Sequence, residues 1–312
     1  MKVRSTFGAM ALGVLLAATA AAPAPLRAQG PEGRWPLQPR SGIGRIVAPF
    51  LEGWYDNGDG TVTYSFGYLN LNEDTVQIPL GESNFIDPPE YDGMQPSVFL
   101  PGRHRGMFTV TVPAEMRDES IWWTITNPNG EVTKVPGRSN WTAYMLDHGP
   151  RPHGTVPPRV SFGDEEGFGP QGIVNERTIE ARVGEPVTLE ITVREVSERD
   201  PADPRFREPT ALRVIWTPYQ APEGAKVEFT RHPSTPAPEE PEGGRGGFPR
   251  AGRAGPESIM VPSGEGTVRV NATFSMPGEY IVHAQVDNWR VPDSSSADQC
   301  CWSNGFVRVN VR

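Results

Sequence analysis

In the stretch TVTYSFGY, residues 61–68, every second side chain is large and apolar. Val62, Tyr64, Phe66 and Tyr68 share one face of an extended chain, and Thr61, Thr63 and Ser65 share the other. The same period of two returns in Phe108, Val110 and Val112, and again in Ile121, Trp123 and Ile125, with Trp122 turned to the opposite side. Such a pattern cannot serve a helix, whose faces repeat every 3.6 residues. No stretch carries apolar residues at i, i+3, i+4 and i+7 for long enough to predict one. Turn material separates the runs, as DNGDG at 56–60, NED at 72–74 and PNG at 128–130. Residues 45–147 therefore read as seven short strands folded into a β-sandwich.

After a Pro/Gly-rich linker at 148–172, a second rhythm begins. Val183, Val187, Leu189, Ile191 and Val193 fall on odd positions, and strand-like runs follow at 211–220, 225–232, 266–289 and 305–312. Residues 173–312 thus predict a second sandwich, interrupted at 233–258 by a low-complexity insertion poor in apolar residues. Glycine and proline number 34 each, a supply that suits many turns between short strands. The expected fold class is all-β, with two immunoglobulin-like β-sandwich domains.

Three stretches of the second domain carry a resemblance to bacterial immunoglobulin-like and PKD-like modules: VGEPVTLEITVRE (183–195), TVRVNATFSMPGEYIVHAQVDN (267–288) and FVRVNVR (306–312). The turn MPGEY is similar to the one before the penultimate strand of such folds, which implies that Tyr280 is a corner tyrosine. The resemblance covers about 135 residues and implies a fold without a function. The whole chain resembles uncharacterised secreted bacterial proteins in style.

The chain opens with Lys2 and Arg4, an apolar run from Phe7 to Ala22, and Leu26-Arg27-Ala28, the anatomy of a cleaved signal peptide at 1–28. Residues 29–44 follow as an extended lead-in. The expected product is exported, periplasmic or extracellular, with no membrane insertion. Its formal net charge is −9, and removal of Lys2, Arg4 and Arg27 deepens it, which disfavours nucleic acid as a partner.

No G-x-S-x-G or H-E-x-x-H motif occurs, so a non-catalytic binding or structural protein is expected, with an unknown protein or glycan as partner. Three features compete as sites. Trp122 and Trp141 are candidates for stacking on sugar rings, the basis of an alternative carbohydrate-binding role. The adjacent Cys300 and Cys301, the only cysteines, lie in a long loop between the last two strands, with Trp289 and Trp302 near its ends. In an oxidising compartment they are expected to form a vicinal disulfide that shapes a binding loop, although a redox-active or metal-handling pair remains the second alternative. Finally, Asp56, Asn57 and Asp59 offer oxygen ligands to Ca2+, but the same residues suit a hairpin turn, and no cofactor is otherwise implied.

Overall fold

The computed structural model describes residues 44–146, 149, 154–200, 202–204, 209–235, 255–288 and 301–312. The segment 1–28 read as a signal peptide, nearly all of the stretch read as a lead-in and most of the 233–258 insertion lie outside them, as do Trp289 and Cys300. Among the described residues the regular structure is strands and three short 3-10 turns, with no α-helix.

The N-terminal sandwich contains β1 (Val47–Asp56), β2 (Val62–Asn70), β3 (Val76–Gln77), β4 (Asn84–Asp87), β5 (Val98–Phe99), β6 (Gly102–Val112), β7 (Ile121–Thr126), β8 (Val132–Gly137) and β9 (Met145–Leu146). They form sheets in the orders β6-β2-β1-β9, β4-β7-β8 and β3-β5. The C-terminal sandwich contains β10 (Arg159–Phe162), β11 (Glu165–Phe168), β12 (Ile173–Val174), β13 (Ile179–Ala181), β14 (Val187–Arg194) and β15 (Leu212–Gln220). It continues with β16 (Val227–Arg231), β17 (Ser258–Val261), β18 (Glu265–Phe274), β19 (Gly278–Asp287) and β20 (Trp302–Val311). Its sheets run β11-β10-β14-β18-β16 and β12-β20-β19-β15-β17, with β13 added in parallel to β20. The β10–β11 hairpin falls inside the stretch read as a linker and is an ordinary member of this sandwich, paired with β14.

The alternating residues do what their period requires. Val62, Tyr64, Phe66 and Tyr68 meet Phe108, Val110, Val112, Ile121, Trp123 and Ile125 in the first core. Trp123 lies at its centre, edge-on to Phe66 and Phe108 at centroid distances of 6.2 and 5.0 Å. Its indole N–H donates to Asn84 Oδ1 at 2.9 Å, and the Asn84 amide donates to the carbonyls of Ile78 and Pro96. A buried amide is tolerated here because its hydrogen bonds are made. In the second core, Tyr280 donates its hydroxyl to the Met276 carbonyl at 2.8 Å, the geometry of a corner tyrosine.

The polar faces of several strands are also covered. Thr63 and Ser65 are buried, as are Ser303 and Asn304, and so is His283, which the alternation assigns to the polar side of β19. Ser303 is held by Pro158 and Gly169 of its own half, but much of the cover comes from the other sandwich, as where the Gln171 amide donates to Thr63 and the Asn304 amide to the Gly106 carbonyl. Tyr219 and Phe306, from β15 and β20, belong to the first core. Tyr219 donates to the Met94 carbonyl at 2.5 Å, and the Gln220 amide donates to the carbonyls of Gly93 and Gln95, each at 2.8 Å. Backbone joins in, with Ser97 N–H on the Tyr219 carbonyl. Arg40–Arg312 is accordingly one unit in its contacts.

Candidate functional site

Trp122 faces outward because its neighbours Ile121 and Trp123 face the core. Across the β7–β8 ladder it pairs with Pro136, and Lys134 Nζ lies 4.7 Å from its ring centroid. Just after β8, the Arg138 guanidinium stands 5.9 Å from the Trp122 ring and 5.8 Å from the Trp141 ring, linking two indoles that are 19 residues apart. Cation–π attraction holds such an arrangement at distances up to about 6 Å. The Arg138 Nε is buried and has no hydrogen-bond partner.

Trp141 opens a 3-10 turn, Thr142–Tyr144. With about three residues per turn, i and i+3 lie nearly in line, and the rings of Trp141 and Tyr144 meet at 5.7 Å with a 37° tilt. Trp141 is 54% and Tyr144 44% exposed, and Met145 beside them is also exposed. The turn is nevertheless pinned from below, since the buried Trp54 donates its indole N–H to the Trp141 carbonyl at 3.0 Å. The following β9 pairs in parallel with β1. That pairing needs glycine at 53, where β1 bulges with φ +155° and a Cβ would overlap Leu146 and the Tyr144 carbonyl. The structure therefore brings Trp122 and Trp141 to one surface, adds Tyr144, and mounts them on a fixed base.

The other candidates have different surroundings. Trp302 is buried, its indole against Gly106 of β6, where φ is +53° and a Cβ would overlap the ring. Cys301 is buried as well, with φ +152°, and no cysteine among the described residues is free. Asn288 N–H donates to the Cys301 carbonyl, and the Asn288 amide donates to Glu195 Oε2 and the Val156 carbonyl. These bonds fasten the two ends of the loop that joins β19 to β20.

In the β1–β2 hairpin, the side chains proposed for Ca2+ each make hydrogen bonds within the turn. Asp56 Oδ1 accepts from Gly58 N–H, Asp59 Oδ1 from Thr61 N–H and hydroxyl, and the Asn57 amide donates to Thr61 and Thr63. Asp56 also pairs with Arg117. The Gly58 N–H first, and Arg117 after it, hold the Asp56 carboxyl below its usual range. Among the described residues no group of three or more His, Cys, Asp or Glu is disposed to hold a metal, and no helix is long and apolar enough to cross a membrane.

No family model matches the sequence, and no curated protein matches it. Among solved structures the similarity is low. The PapD-like domain 7 of human CEP192 is 11% identical, with a TM-score of 0.24, over 56% of this chain and 96% of that one. The D0-D1 domain of intimin is 11% identical, with a TM-score of 0.23, over 85% and 97%. Domains 4 and 5 of the S-layer protein SbsC are 11% identical, with a TM-score of 0.22, over 86% and 98%. Likeness this low carries no functional assignment.

Proposed function

We propose that this is an exported, non-catalytic binding protein that holds a carbohydrate on the Trp122–Trp141–Tyr144 surface. The observation that carries the reading is the pair of exposed rings of Trp141 and Tyr144, 5.7 Å apart, beside the Trp122 indole and bridged to it by Arg138. Flat aromatic faces stack on the C–H faces of sugar rings, and the guanidinium supplies hydrogen-bond donors to the hydroxyls at their edge. Export rests on the leader-like segment 1–28.

The test is glycan-array screening followed by calorimetry with the best oligosaccharide. Trp141→Ala and Tyr144→Ala are expected to lower affinity at least tenfold each, with unfolding midpoints unchanged. Binding that survives both substitutions, or an array with no hit, sinks the reading. A hit on a protein partner that is lost with the same substitutions would keep the surface and change its ligand.

A vicinal Cys300–Cys301 disulfide belongs to the same proposal, as a device that shapes the β19–β20 loop. The positive φ of Cys301 and the absence of a free cysteine among the described residues support it. The burial of Cys301 weighs against a redox-active pair, whose sulfur must be reachable. Thiol titration with mass spectrometry tests it, and two titratable thiols in protein from an oxidising compartment would remove it.

A further inference from the structure

Between the sandwiches lies a cleft of about 570 Å3, within the size range of small-molecule sites. Leu100 and Met107 wall it on the N-terminal side, and Ile215 and Phe229 on the C-terminal side. It exists because the outer face of the β15–β19 ladder is not fully covered by β5 and β6. The junction around it is bolted by Gln77, which donates to the Ala225 carbonyl at 2.8 Å and accepts from Gly224 N–H at 2.7 Å. This is a preformed apolar cavity at a domain junction, where ligands are commonly held.

The polar groups of the cleft say what it would take. His283 has both ring nitrogens occupied, by Thr217 and Asn304, and is held neutral by burial, down to about 4. Burial lowers His104 likewise. Lys226, Glu228 and Glu257 also border the cleft, so its charged residues offer no net attraction to an anion. The fully buried indole N–H of Trp216 has no hydrogen-bond partner, and the half-buried side chain of Gln285 also lines the cleft. A buried donor left unpaired is costly, and the Gln285 amide offers both a donor and an acceptor to a ligand that enters.

We infer that this cleft is a second binding site, separate from the aromatic surface, for an uncharged and mainly apolar small molecule carrying a hydroxyl or carbonyl that meets Gln285. The test uses the intact protein and the neutral probe N-phenyl-1-naphthylamine, followed by fluorescence. One saturable site per chain is expected, with decan-1-ol displacing the probe at least tenfold more effectively than decanoate at pH 8. Thr75→Trp, at the exposed rim, should lower probe affinity at least tenfold with the thermal midpoint retained. Lys226→Trp repeats that test from the opposite wall if the first variant is unstable. Gln285→Leu should weaken displacement by decan-1-ol at least fivefold, while Trp141→Ala should leave probe binding unchanged. The inference is overturned by absent saturable binding, by binding indifferent to both tryptophan substitutions, or by decanoate competing as well as decan-1-ol.

Discussion

Asn304 Oδ1 lies 3.0 Å from His283 Nε2, and this contact fixes the tautomer of a buried imidazole. The Asn304 amide nitrogen already donates to the carbonyls of Gly106 and Pro170, at 2.7 and 2.8 Å, so its oxygen is left to accept. His283 therefore carries its proton on Nε2, and Nδ1 accepts from the Thr217 hydroxyl at 3.3 Å. One asparagine thus ties β20 to β6, to the chain before β12 and to β19.

Acid should weaken this junction. Burial, against the hydrogen bond that His283 donates to Asn304, lowers His283 from 6.5 to about 4. The unfolded chain takes up the proton near the higher value and the folded chain only near the lower one. Stability from this group is complete above about pH 6.5 and is lost as pH falls toward 4, by about 3 kcal/mol at most. His104 shifts in the same direction. Urea unfolding at pH 7.5 and pH 4.5 should show the loss, and His283→Gln should flatten it; equal pH dependence in the two proteins would refute the assignment.

Gly106 and Trp302 should prove strongly coupled. Gly106→Ala meets both the indole and a positive φ, and is expected to cost about 2–4 kcal/mol. With Trp302→Ala already in place, the added cost should fall to the backbone strain alone, about 1 kcal/mol. A double-mutant cycle in urea measures the difference, and simple additivity would count against the contact.

Asn84→Ala should destabilise the N-terminal sandwich by about 2–3 kcal/mol. It leaves the Trp123 indole N–H and the Ile78 and Pro96 carbonyls without partners in the core. Trp123→Ala, which opens a cavity, should cost about 3–5 kcal/mol. Denaturant midpoints check both, and a loss below about 1 kcal/mol for Asn84→Ala would mean that water restores the missing bonds.

The DNGDG hairpin should ignore calcium. Its carboxylates are spent on Gly58, Thr61 and Arg117, so neither millimolar Ca2+ nor chelator is expected to move the thermal midpoint measurably. A rise of several degrees with Ca2+ would restore the cation site.

Period-two alternation in β2, β6, β7 and β14 makes the strands and their core faces readable, because a side chain's face follows from its parity. Parity does not say whether the opposite face meets water. Thr63, His283 and Asn304 look solvent-bound in sequence and are buried, since what covers them comes from far along the chain. The strand β4, NFID, hides in a segment rich in turn residues, and its main credential is Asn84 beneath an indole 39 residues away. At the aromatic surface, Trp122 and Trp141 could be singled out but not joined, because Arg138 links them only after folding. Tyr144 was legible in principle, as an aromatic three residues past Trp141 in NWTAY.

The last strand also bears on the order of assembly. Phe306 sits in a core otherwise built largely from residues 47–125 and Tyr219, and Asn304 is bonded to Gly106, 198 positions earlier. A chain delivered from its N-terminus must hold the first sandwich open-sided until its final ten residues arrive. Contacts this remote slow folding and lengthen the exposure of unfinished strands. Truncation at residue 301 should therefore damage both halves of the molecule, and the unfinished chain is the form most in need of a holding chaperone.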